Sequence, residues 1–106
     1  MTEFRLVLTT VPDEETGRSL ARALVEERLA ACVNVGPAVT SFYWWEGRLT
    51  EDGERILFIK TRAPLLERLE ARLKAVHPYK VPEFIALSVD SGSAEYLAWV
   101  ENETGK

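Results

Sequence analysis

Few residues in this sequence have the chemistry to bind a metal ion or attack a substrate. There is one cysteine, Cys32, and one histidine, His77. With Met1 they are all of its soft or borderline metal donors. One chain therefore cannot assemble a four-ligand Cys/His zinc site. A metal site must combine His77 with carboxylates and water, or repeat His77 around a symmetry axis. Imidazole with oxygen suits Cu(II), which tops the divalent affinity order. His77 precedes Pro78 at the end of a helical pattern. There an imidazole can serve as a ligand or proton carrier, or it can cap the helix and pack beside Tyr79. Cys32 follows Ala30 and Ala31. It reads as a small buried hydrophobe, or as half of a Cys–His pair whose orienting third group has no candidate. Lys60 interrupts an apolar strand pattern (Leu57, Phe58, Ile59) and needs an acidic partner such as Glu83, unless it snorkels at a sheet edge. Glu83, between Pro82 and an apolar run, is the one carboxylate that does not read as solvated surface.

These side chains must be held by one domain, 1–106, because the 106 residues leave no room for a second core. The hydrophobic share of 46% supports a packed interior and argues against disorder. The net charge of −4 speaks against a nucleic-acid partner and against anionic membrane surfaces. No apolar run reaches the roughly 18 residues a membrane span requires. The N-terminal residues lack the pattern of a signal peptide, and a lone cysteine gains nothing from an oxidising compartment. The expected location is cytoplasmic.

Hydrophobic periodicity places the elements. Phe4 to Val11 is apolar on both faces, as in a central strand. Pro12 and three acidic residues open a helix expected to run to about Ala31, with Leu20, Ala21, Leu24, Val25 and Leu29 inward. Cys32 to Trp45 reads as a long strand with a bulge at Gly36-Pro37. Gly47 to Gly53 is expected to turn, and Glu54 to Arg62 to return as a strand. Pro64 opens a second helix with the stripe Leu66, Leu69, Leu73 and Val76, which His77-Pro78 stops. Glu83 to Val89 reads as a strand and Ala94 to Glu103 as a terminal helix. The order βαββαβ plus a C-terminal helix predicts an α+β, ferredoxin-like split βαβ sandwich, a four-stranded antiparallel sheet with helices on one face.

That sheet has a second face to cover. Trp44 and Trp45 are adjacent on one strand and point opposite ways, so one can pack under a helix while the other faces water. Ile56 and Phe58 alternate with Leu57 and Ile59, leaving both faces apolar. A second subunit is expected over the uncovered surface; the alternative is that the C-terminal helix shields it.

The segments LARALVEERLAACVNV (20–35), SFYWWEG (41–47), FIKT (58–61), HPYKVPEFIAL (77–87) and YLAWV (96–100) together resemble the CutA divalent-cation tolerance family. The resemblance covers about residues 4 to 100. It implies a ferredoxin-like homotrimer with no established enzymatic reaction and a role in tolerance of copper and other divalent cations, without an organic cofactor. Relatives with a copper site carry a Cys in the first strand and a doubled His before Pro-Tyr. The matching positions here hold Thr9, Val76 and His77, so only His77 is kept as a metal ligand. The fold also resembles PII-type signalling trimers, which bind small ligands between subunits; Cys32, Lys60, Tyr79 and Glu83 are the candidates for such an intersubunit pocket. Against a nucleotide there, the chain has no glycine-rich phosphate loop. An acylphosphatase-like reaction is disfavoured, because the loop Val11-Pro12-Asp13-Glu14-Glu15 would repel phosphate.

Overall fold

In the computed structural model the described residues are 3–105, so Met1 lies outside them. Strand β1 (Phe4–Val11) is central, pairing antiparallel with β3 on one side and β4 on the other. Its alternation sets the two faces. Val7, Thr9 and Val11 are buried toward the helices, while Leu6, Leu8 and Thr10 lie on the opposite face and are only half-buried.

Helix α1 (Glu14–Glu26) starts where Asp13 accepts a hydrogen bond from the Thr16 N–H at 2.7 Å, with Glu14 and Glu15 in its first turn. It stops five residues short of the expected Ala31. Arg28 takes a positive φ of 61°, and the Leu29 and Ala30 N–H groups both turn back to the Leu24 carbonyl. The Ala31 N–H then donates to the Lys60 carbonyl, so the sheet captures the chain before the helix can continue. Leu29, Ala30 and Ala31 remain buried, which is why their pattern imitated helix.

Strand β2 (Cys32–Trp45) has the expected bounds, and its register with β3 shifts between Val35 and Ala38, at Gly36-Pro37. A Cβ on Gly36 would stand 2.7 Å from the Ile56 carbonyl oxygen, so only glycine permits this approach. Strand β3 (Arg48–Arg62) is longer than expected. The turn is confined to Glu46 and Gly47, whose φ values of 50° and 78° suit a tight hairpin. Residues 48–53, read as turn for their polarity and glycines, are paired strand residues on an exposed hairpin.

After a single 3-10 turn (Ala63–Leu65), helix α2 (Leu66–Val76) buries Leu69 and Leu73, with Leu65 just ahead of it. Val76, the fourth member of the expected stripe, is 40% exposed at the helix end. Strand β4 (Ile85–Ser88) is shorter than expected because Glu83 and Phe84 stay in the loop after Pro82, and β4 pairs only with Arg5–Leu8. Helix α3 (Ala94–Asn102) is capped by Ser93. The sheet order is β2-β3-β1-β4, the expected ferredoxin-like α+β arrangement.

The core lies between this sheet and α1 and α2, around Val7, Val11, Leu20, Leu24, Leu57, Ile59, Leu69 and Leu73. Each of these leucines contributes about 1.5–3 kcal/mol by leaving water. On the other face, register places Leu6, Leu8, Phe58, Ile85 and Leu87 together, and Ile85 and Leu87 are 47% and 45% exposed. Neither hairpin tryptophan packs under a helix: Trp44 is 72% and Trp45 41% exposed. The hairpin overshoots the helices, giving extents of 44 × 25 × 23 Å. Helix α3 does not shield it. Its end ties to the base of β3, where Arg62 Nε donates to Thr104 Oγ1 at 2.8 Å, and to Arg28 through Glu103 at 2.7 Å.

Candidate functional site

A cleft of about 810 Å³ opens between the hairpin and the loop after α2. Alternation along the paired strands puts Ser41, Tyr43 and Trp45 of β2 beside Thr50, Asp52 and Glu54 of β3 on its wall. The loop from Pro78 to Glu83 forms the other wall.

His77 holds that loop in place. It ends α2 in an extended conformation, and the residue is 8% exposed. Nδ1 accepts the Tyr79 N–H at 3.1 Å, which leaves Nε2–H to donate to the Thr10 carbonyl at 2.8 Å. This tautomer is assigned from the two partners. Burial pushes the imidazole pKa below its usual value, with the Thr10 carbonyl and the Glu54 charge partly opposing. A metal ion at His77 would have to displace one of these hydrogen bonds. Among the described residues, no group of three or more His, Cys, Asp or Glu converges on a common metal position. Thr9, in the first strand, is fully buried with a hydroxyl that has no hydrogen-bond partner.

Two tyrosine–carboxylate pairs mark the cleft. The Tyr79 hydroxyl donates to Glu54 Oε2 at 2.6 Å, and the Tyr43 hydroxyl donates to Asp52. Tyr79 is pushed well above the usual phenol range, first by burial and then by its hydrogen bond to Glu54. Tyr43 is raised chiefly by its hydrogen bond to Asp52. Both phenols therefore stay protonated as donors at neutral pH.

Within one chain the four residues expected to share a pocket fall into two places. Tyr79 and Glu83 line the cleft. Cys32 and Lys60 oppose each other on β2 and β3, with Nζ 4.0 Å from Sγ. Lys60 donates to Asn34 Oδ1 rather than to Glu83. Six residues of strand separate Lys60 from Glu54, about 20 Å. The sequence does not single out Asp52, which falls in the expected turn 47–53, or Glu54, which at the start of the expected strand reads as solvated surface. The signal that could have found them is alternation: Ser41, Tyr43, Trp45 and Thr50, Asp52, Glu54 each step by two.

Comparison with known proteins gives a consistent answer. A family model described as "CutA1 divalent ion tolerance protein" matches residues 5–103. The "Divalent-cation tolerance protein CutA" of Thermus thermophilus is 52% identical over 94% of this chain and 97% of that protein. The "Protein CutA 1, chloroplastic" of Oryza sativa is 48% identical over 93% of this chain and 56% of that protein, so the chain spans about half the plant relative's length. The solved Thermus thermophilus divalent cation tolerance protein superposes with a TM-score of 0.93 at 51% identity, covering 96% of this chain and 99% of that one.

Proposed function

This chain belongs to the CutA1 divalent ion tolerance protein family, and from that premise we infer that it works as a non-enzymatic homotrimer in divalent-cation tolerance, taking Cu(II) or a related ion weakly through His77. The observation that carries the weak site is the state of His77. Its Nε2–H is anchored on the Thr10 carbonyl, the kind of second contact that orients a metal-binding imidazole. The free pair at Nδ1 is held only by the Tyr79 N–H. One imidazole nitrogen plus water makes a transient site rather than a resident one, because no group of three or more His, Cys, Asp or Glu converges there among the described residues. The trimer is supported by the apolar sheet face and the exposed hairpin, which one chain leaves open. A cytoplasmic location is supported by the unpaired thiol of Cys32; no helix of the described residues is long and apolar enough to cross a membrane.

The test is a calorimetric Cu(II) titration of the mass-defined oligomer, wild type against His77→Ala and His77→Gln. Saturable binding near one ion per chain that both variants lose supports the site. Binding that the variants leave unchanged overturns it. A monomeric mass at micromolar concentration overturns the trimer.

A second reading is favoured by the cleft itself: a sensor of a small ligand, in the manner of PII-type trimers. Its wall carries Asp52, Glu54 and Glu83 against Lys80, so a phosphate-rich ligand would meet net repulsion.

A further inference from the structure

Resting on that second reading, we propose that the cleft beside the hairpin binds an organic cation, a primary-amine ligand whose ammonium sits on Glu54 and whose apolar body lies against Trp45.

The argument starts from Glu54. Its side chain is in a residue only 8% exposed, yet none of the ion pairs among the described residues involves it. The neighbouring Arg55 turns to Glu14 on α1 instead. Burying a carboxylate without a cationic partner is unfavourable, and a carboxylate offers about four lone-pair sites. One hydrogen bond, from Tyr79, engages Oε2. Oε1 has no partner among the described hydrogen bonds, and the residue lines the open cleft. A cation in the cleft supplies the missing charge.

The class of cation follows from the rest of the lining. Asp52 and Glu83 add negative charge, while Lys80 stands exposed at the rim. These carboxylates do not converge as metal ligands do, so a small hard ion would leave its coordination unfilled. An ammonium needs only three acceptors around it. Tyr43, Tyr79 and Trp45 surround the carboxylates with aromatic surface, which attracts a cation and packs an apolar body. A cleft of about 810 Å³ matches a small organic molecule and exceeds any single ion.

The test uses three probes of one shape on the intact oligomer: phenethylammonium, 2-phenylethanol and phenylacetate. Binding is read by calorimetry and by Trp fluorescence. The expected result is saturable binding of phenethylammonium at millimolar concentration, little of the alcohol and none of the carboxylate. Glu54→Gln keeps an acceptor for the Tyr79 hydroxyl but removes the charge; it should weaken the ammonium by about tenfold or more. Glu70→Gln on α2 should leave it unchanged. Oligomeric mass and unfolding midpoint confirm that each variant is folded. Preference for the alcohol or the carboxylate overturns the ligand class while leaving a ligand-binding cleft. Failure of all three probes overturns both. Ammonium binding that survives Glu54→Gln at full strength also overturns the proposal, whatever Cu(II) does at His77.

Discussion

Thr9→Val should stabilise this protein. Thr9 sits on the helix-facing side of the central strand with no exposed surface, and its hydroxyl has no hydrogen-bond partner. Leaving a buried hydroxyl unpaired costs about 1–3 kcal/mol. Valine has nearly the same shape, so no cavity opens and the strand keeps its β-branched residue. The methyl that replaces the hydroxyl adds up to about 0.8 kcal/mol of apolar burial. The net expectation is a gain of about 1–3 kcal/mol. The assay is guanidinium unfolding followed by Trp fluorescence at one fixed subunit concentration, because an oligomer's stability depends on concentration. The midpoint should rise with an unchanged slope. A neutral or destabilised Thr9→Val would refute the reasoning, since it would mean that the hydroxyl is satisfied, for instance by a buried water. The same variant bears on the metal site. If the Thr9 hydroxyl assists a cation at His77, Thr9→Val loses Cu(II) affinity while gaining stability.

Thr61→Val should do the opposite. Its buried hydroxyl donates to the Leu29 carbonyl at 2.7 Å, and the valine would leave that carbonyl short of a partner, costing about 1–2 kcal/mol in the same unfolding assay. Gly36→Ala should destabilise by about 1–3 kcal/mol, because the new Cβ would stand 2.7 Å from the Ile56 oxygen and force the bulge to shift; its unfolding midpoint checks this. His77 sets a pH dependence. Its folded pKa is lowered below the usual 6.5, so its neutral form is favoured by folding. That contribution is full above the ordinary value and is lost as pH falls through the lower folded value. Unfolding midpoints of the wild type should therefore drop between pH 7 and pH 5, and His77→Gln should flatten that slope.

The fold was legible wherever the signal was local. The β-branched run Phe4–Val11 and the strand Cys32–Trp45 have the bounds that their patterns imply, and Gly36-Pro37 marks the bulge. The end of α1 was not legible, because the apolar pattern runs on through buried Leu29–Ala31. What stops the helix is a long-range bond, Ala31 N–H to the Lys60 carbonyl, together with the positive φ of Arg28. The hairpin turn was misplaced because Thr50, Glu51, Asp52 and Gly53 are turn-like in composition. They are strand residues whose side chains meet water or the cleft, so nothing selects against polarity there. The same polarity hides Asp52, while Glu54, already on the expected strand, reads as one more solvated carboxylate. Of the four residues named for an intersubunit pocket, Tyr79 and Glu83 line this cleft within one chain; Glu83 stands out in the sequence because it lies between Pro82 and an apolar run.

The hairpin joins the two halves of the functional reading. A strand of 15 residues runs nearly the full 44 Å length of the molecule, against 25 Å across it, so its tip leaves the helix-covered core. A two-stranded ribbon alone is only marginally stable in water. Alternation then gives the ribbon two unlike sides. Tyr43, Trp45, Thr50 and Asp52 turn to the cleft and are steadied by the Tyr43–Asp52 hydrogen bond and the loop opposite. On the other side Trp44 and Leu49 are each about two-thirds or more exposed, and Phe42, equally exposed, reaches the cleft's edge, too much apolar surface for a free ribbon. In the proposed trimer, burial of that side against another copy would stiffen the ribbon and so fix the carboxylate wall of the cleft. Assembly and ligand binding would then act on the same strands. A ligand that orders the cleft side should favour the oligomer, and the oligomer should bind the ligand more tightly than a lone chain does, by the same factor.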